Sequence, residues 1–398
     1  MTATSENQQA RPLIALVLTG GGARAAYQVG VLQALCTMLP DPRKNPFQII
    51  CGTSAGAVNA VVLACEAENF NSAVDDLASV WRHFKARHVY RADALGMFVS
   101  GIRWLGVLAL GWLFRQAPKS LLDNTPLGEL LGKYVDFSGI DRAIGAGALT
   151  AVSVTASGYA SGESISFFQA GLSVPPWRRA QRMGVRVRLG VEHLLASSAI
   201  PFVFPAQRIH REYFGDGSMR QMAPLSPAVH LGASRILVIG SGRMHEQEPA
   251  ERHQQASYPA LAQVAGHALS SIFLDSLSAD VEQLERINQL LERLPPGVAE
   301  GAGIEFRQIK TLVITPSGRL DHLAVRHSRA LPTPVRILLA GIGGMRRRGG
   351  ALLSYLLFEQ PYTRSLMELG YKDAMAQRDA ILELLAPCLQ EPSSSDVK

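Results

Sequence analysis

The chain has 398 residues, 47% of them apolar, with 39 Lys+Arg against 33 Asp+Glu and a formal net charge of +6. That length can bury a large core, as one big α/β domain or two smaller ones. The small basic excess, with no basic stripe interleaved with aromatics, excludes a nucleic-acid partner as the leading reading.

In chain order, the polar start "MTATSENQQARP" (1–12) is expected to be disordered. The apolar run that follows is cut short by "TGGG", so it does not make a signal peptide, and a cytoplasmic location follows as the default. Leu13 to Leu18 reads as a buried strand, "TGGGARA" as a turn, and "AYQVGVLQALCTML" as an amphipathic helix ending before Pro40. "PFQIICG" is a second strand that runs straight into an alanine-rich helix. "ALTAVSVTASGY" and "SISFFQA" form a strand pair around a Ser/Gly turn, and "EHLLASSAIPFVFPA" is a short helix stopped by Pro201. "RILVIGSG" and "FRQIKTLVITPS" are further buried strands, separated by a long helical stretch broken at Pro295–Pro296. The segment from Ala351 to Leu385 is helical, and "EPSSSDVK" is a frayed end. Strands alternating with helices predict a three-layer α/β/α sandwich with a central, mostly parallel sheet and a helical C-terminal extension.

Leu95 to Phe114, "LGMFVSGIRWLGVLALGWLF", interrupts that pattern with 20 residues and a single charge, Arg103. Its length could span a bilayer, but the mid-segment charge and four glycines weaken that reading. A lipid-facing cap or a buried core helix fits better, and a cap implies peripheral contact with the inner membrane surface.

The cysteines (Cys36, Cys51, Cys65, Cys388) show no C-x-x-C spacing and read as buried free thiols in a reducing compartment. The histidine pairs His83/His88 and His322/His327 lack a second set of ligands, so no metal site and no cofactor is expected.

"GTSAGA" places Ser54 between Gly52 and Gly56 at a strand-to-helix joint. This is the G-x-S-x-G pattern of a nucleophile elbow, where strand and helix nearly touch and only small neighbours fit. Upstream, Gly20, Gly22 and Ala25 also satisfy a dinucleotide fingerprint, but the second strand ends without the Asp or Glu that would hold a ribose. The other reading is an oxyanion hole, in which the Gly20–Gly21–Gly22 amides face developing negative charge and Arg24 braces the loop or adds charge.

A serine nucleophile needs a proton acceptor. His193, His210 and His245 are possible, yet none sits in a convincing strand-end loop. Asp216 in "FGDGS" is the better candidate; it is flanked by glycines and preceded by Tyr213 and Phe214. A plain Asp-Gly turn is the competing account.

"GGGARAAYQVGVL", "GTSAGAVNA", "ASSAIPFVFPA" and "FGDGS", in that order, resemble the patatin-like phospholipase family, whose catalytic domain is related to cytosolic phospholipase A2. The resemblance implies Ser54 as nucleophile, Asp216 as base of a dyad, and Gly20, Gly21, Gly22 and Arg24 as the oxyanion hole. It implies acyl-ester lipids as substrates, phospholipids or lysophospholipids first. Two positions depart from the family pattern: Ala25 stands where glycine is usual, and Ser218 follows Asp216–Gly217 where glycine or alanine is usual. On this basis residues 13–231 form the catalytic domain, with 95–114 as its apolar cap. Residues 232–388 form an α/β extension on the same sheet, and 389–398 a disordered tail. Three alternatives stay open. One is a Ser-His-Asp hydrolase using His245, His253 or His267, and another is an acyltransferase with the same nucleophile. The third is a non-catalytic membrane-associated protein, whose "GIGGMRRRGG" loop could meet anionic headgroups. Oligomeric state is not legible.

Overall fold

The structure, a computed structural model, describes residues 12–91, 120–242, 258, 260–272, 276–295, 307–345 and 349–389. The polar start up to residue 11, the apolar segment Leu95–Phe114, His245, His253, Arg346–Arg348 and the tail from residue 390 lie outside the described residues.

Among the described residues ten strands form one sheet in the order β10-β9-β1-β2-β3-β4-β6-β5, where β4 is Ser164–Ala170, β5 Trp177–Arg179 and β6 Arg182–Arg186; the hairpin of β7 (Gln207–Ile209) and β8 (Glu212–Asp216) attaches to β3 through β8. The strands β1 (Ile14–Leu18), β2 (Ile49–Thr53), β3 (Ala151–Gly158), β9 (Arg235–Ile239) and β10 (Lys310–Ile314) run parallel to one another. Continuous apolar sequences such as "IALVL" and "RILVI" suit strands covered on both faces. Alternation then divides each strand between two cores. Ile14, Leu16, Leu18, Ile50, Leu237 and Ile239 face one, and Ala15, Val17, Ile49, Cys51, Ile236 and Val238 face the other. The first core is roofed by α1 (Ala26–Met38), α2 (Ala55–Cys65), α3 (Phe70–Arg82) and the helices from Gly350 onward. The second is roofed by the short helix Ser226–His230 and the long helix Ser276–Arg293. The result is the three-layer α/β sandwich.

The strand pair read around the Ser/Gly turn is β3 with β4 (Ser164–Ala170), antiparallel as its short connection requires. A further hairpin of β5 (Trp177–Arg179) and β6 (Arg182–Arg186) extends the sheet edge, and no sequence pattern had marked it. The long stretch before Pro295 is two described helices, Leu261–Ser270 and Ser276–Arg293.

Two expectations need correction. Helix α1 is not amphipathic in its surroundings but buried nearly all round. The helix Gln360–Ala376 lies across its outer side, with Gly30 backed against the Met367 carbonyl and Gly370 against the Tyr27 carbonyl. A side chain at either glycine would meet backbone, so paired glycines set how closely the two helices approach. The four cysteines are free, but only Cys51 is fully buried; Cys36, Cys65 and Cys388 are half-buried. Among the described residues no helix is long and apolar enough to cross a membrane.

Candidate active site

Ser54 is the single residue between β2 and α2, and its backbone stands at φ 54°, ψ −130°. A non-glycine residue rarely adopts that conformation, and its cost is typical of functional sites. The flanking glycines explain how the turn closes. A Cβ on Gly52 would lie 2.5 Å from Ala57 Cα, and one on Gly56 would collide with the Leu18 and Thr19 carbonyls at the end of β1. The turn is held from below as well. The Ser54 N–H donates to Ser197 Oγ at 2.8 Å, and that hydroxyl donates to the Thr155 carbonyl of β3 at 2.6 Å.

Asp216 ends β8 (Glu212–Asp216), which pairs antiparallel with β3 so that Asp216 faces Ala156. Along the same edge of β3, Thr155 pairs with Thr53 of β2, while β4 fills the opposite edge. The ends of β2 and β8 therefore abut along one edge of β3, and Ser54 Oγ donates to Asp216 Oδ2 at 2.6 Å. Both residues are only 1% exposed. The second carboxylate oxygen accepts the Ser218 N–H at 2.9 Å, so Asp216 caps a 3-10 turn over Gly217–Met219 rather than a hairpin. Gly217 lies against the Thr155 carbonyl, which leaves no room for a side chain there. Burial pushes the Asp216 carboxyl from its ordinary 3.8 up to about 6, and hydrogen bonds from Ser54 and Ser218 hold it from rising further.

The glycine loop leaves the end of β1 beside the Ser54 turn. Among the described residues the N–H groups of Gly21 and Gly22 have no hydrogen-bond acceptor, while the carbonyls on either side are engaged. Gln28 Nε2 donates to the Thr19 carbonyl at 2.8 Å, and Ser241 Oγ donates to the Gly20 carbonyl. Gly22 and Ser54 border the same apolar cavity, about 50 Å³ in volume, whose walls include Val58, Trp81, Phe84, Phe204 and Phe358. Arg24 belongs to the loop but does not reach the cavity; its guanidinium bonds to Ser354 and Tyr355.

No histidine among the described residues bonds to Ser54 or Asp216. His193 is buried against Phe167, with its Nδ1 accepting the Gly190 N–H at 3.1 Å. His210 stands at a hairpin turn with positive φ, and His267 lies on the helix Leu261–Ser270. No three His, Cys, Asp or Glu side chains are grouped as metal ligands among the described residues. Sequence reading missed Ser197, although it lies inside the quoted "ASSAIP" stretch. It also missed Gln221, which accepts from Thr53 Oγ1 at 2.7 Å and sits five residues past Asp216.

A family model for patatin-like phospholipase matches residues 16–229, more than half of the chain, including the glycine loop, Ser54 and Asp216. The chain belongs to the patatin-like phospholipase family. A curated relative, the cGAMP-activated phospholipase of Pseudomonas aeruginosa, is 28% identical over 209 residues, covering 52% of this chain and 53% of its own. The chain thus spans about half the length of that relative. Among solved structures, human GIVD cytosolic phospholipase A2 aligns at TM-score 0.47 and 12% identity, covering 95% of this chain and 60% of its own. VipD from Legionella pneumophila aligns at TM-score 0.36 and 13% identity, covering 93% and 67% respectively.

Proposed function

We propose that this patatin-like protein is a serine lipid acyl hydrolase of the phospholipase A or lysophospholipase type, working through a Ser54–Asp216 dyad. The observation that carries the reading is the 2.6 Å hydrogen bond from a strained, buried serine to a buried carboxylate whose proton affinity has moved toward neutrality. A base near its working pH can take the Ser54 proton and then release it.

In this reading Ser54 Oγ attacks the ester carbonyl as its proton passes to Asp216. The negative charge on the carbonyl oxygen is met by the Gly21 and Gly22 amides. Collapse of the tetrahedral intermediate breaks the ester C–O bond, and Asp216 returns the proton to the departing alcohol. Water, deprotonated by the same carboxylate, then attacks the acyl-Ser54 ester; fatty acid leaves and Ser54 regains its proton. The apolar cavity receives the start of the acyl chain. Its volume of about 50 Å³ is far below the roughly 300 Å³ of an open ligand site, so a long chain must displace aromatic rings or leave along the surface. We place the protein in the cytoplasm, working at the lipid surface that holds its substrate.

Fatty-acid release from mixed phospholipid vesicles tests the reading, comparing the wild type with Ser54→Ala and Asp216→Asn. The assay is run with and without cGAMP, because the P. aeruginosa relative is named for activation by it and a resting enzyme must not be mistaken for an inert protein. Both variants should stay folded and lose roughly 10⁴-fold or more of the activity. Acyl transfer to an added alcohol, in preference to water, would instead assign a transacylase. A wild type inert on vesicles and on short aryl esters in both conditions would leave a non-catalytic lipid-associated protein as the better account.

A further inference from the structure

The family match ends at residue 229, yet the glycine loop beside Ser54 is held by residues more than a hundred positions beyond it. Arg24 is only 5% exposed, and among the described residues no carboxylate forms an ion pair with it. A buried cation needs hydrogen-bond partners, and here neutral groups supply two of them. Arg24 Nε donates to Ser354 Oγ at 2.8 Å, Nη1 donates to the Tyr355 hydroxyl at 3.1 Å, and Cζ lies 3.9 Å from the Tyr355 ring centroid. Ser354 sends its own proton to the Ala351 carbonyl at 2.5 Å, so its lone pairs are left for the arginine. Both socket residues are fully buried.

The same helix turn touches the loop a second time. Gly22 adopts φ 54° with its Cα against the Tyr355 carbonyl, where any side chain would collide. Residue 355 therefore sets the main chain of Gly22 and the side chain of Arg24 together. With Gln28 on the Thr19 carbonyl and Ser241 on the Gly20 carbonyl, the loop is fixed from behind, and its Gly22 borders the cavity that Ser54 also lines.

We propose that Ser354 and Tyr355 are positioning residues for the reaction: through Arg24 they hold the Gly20–Gly22 amides at the place where the oxyanion forms. The proposal rests on the Ser54–Asp216 reading for its kinetic consequence but not for the socket itself. Preorganised donors lose their effect with small displacements, and Arg24 in this role acts behind the loop rather than on the substrate. Lysine could not replace it, because one ammonium cannot reproduce a planar fork stacked on a ring.

The test uses full-length protein with Ser354→Ala/Tyr355→Phe and, separately, Arg24→Lys. Three readouts are taken: kcat and KM on a short soluble ester, amide hydrogen exchange across residues 20–25, and the thermal midpoint. Positioning predicts that kcat falls roughly 10- to 100-fold while KM stays within about twofold. Exchange should quicken in the loop and not in the central strands. Combining the two sets should cost little more than either alone, since they break one device. Unchanged kcat in both variants overturns the proposal, whatever the exchange shows. So does a loss of kcat that merely tracks the folded fraction. If the wild type proves inert on every ester, the dyad reading has failed; loop exchange then decides the socket, and unchanged exchange overturns it as well.

Discussion

Ser54 Oγ and Asp216 Oδ2 lie 2.6 Å apart although 162 residues separate them along the chain. The link between them is β3: β4 lies along one of its edges, and β2 and β8 follow one another along the other, so that their ends meet. Burial of that pair has measurable consequences.

The first is the pH dependence of turnover. In the proposed dyad Asp216 must be ionised to accept the serine proton, and its carboxyl is pushed up to about 6. With a soluble ester, kcat/KM should rise roughly tenfold per pH unit below that value and level off above it. A histidine base would place the acid limb nearer neutrality and would make it depend on one of the histidines.

The same shift affects stability. In the unfolded chain Asp216 ionises near its ordinary 3.8, whereas the folded protein keeps the proton up to about 6. The folded state therefore binds more protons between those values, and stability falls as pH rises through the window. Asp216→Asn removes this penalty. Relative to wild type it should gain little at pH 4 and up to roughly 3 kcal/mol by pH 7, with activity lost. Urea midpoints at the two pH values check the sign; a gain confined to low pH would contradict the burial argument.

Gly56→Ala should be severe for a different reason. Its Cβ would collide with the Leu18 and Thr19 carbonyls, so the elbow must move away from β1 and from the glycine loop. A cost of about 1–3 kcal/mol in stability is expected, with a much larger loss of kcat in the fraction that remains folded. Denaturant titration and kinetics on the same sample separate the two effects.

Val58 lines the cavity at Ser54. Val58→Phe adds a ring to a space of about 50 Å³, so long acyl chains should lose access while acetyl esters keep theirs. The ratio of kcat/KM for oleoyl over acetyl esters should drop by at least about tenfold. An unchanged ratio would mean that the acyl chain runs elsewhere.

Much of the site is legible in the sequence because its rules are local. A strand-to-helix corner at a serine requires small residues within two or three positions, and "GTSAGA" supplies them. A loop with free amides requires consecutive glycines, as in "TGGGARA". The alternation of apolar runs with helical stretches is also local, so the layered α/β arrangement follows from it. What depends on long-range packing was not legible. From sequence Arg24 could brace the loop or add charge to the site, and its bonds to Ser354 and Tyr355 fix the direction of its side chain. Helix α1 read as amphipathic because nothing nearby in sequence announces that the helix Gln360–Ala376 covers its outer face. Ser197 gave no signal of its own, since only the approach of its helix to β3 brings its hydroxyl beneath the Ser54 amide. Residue types and local spacing determined which groups could react; strand pairing and helix packing decided which of them meet, because those contacts join segments that only the folded chain brings together.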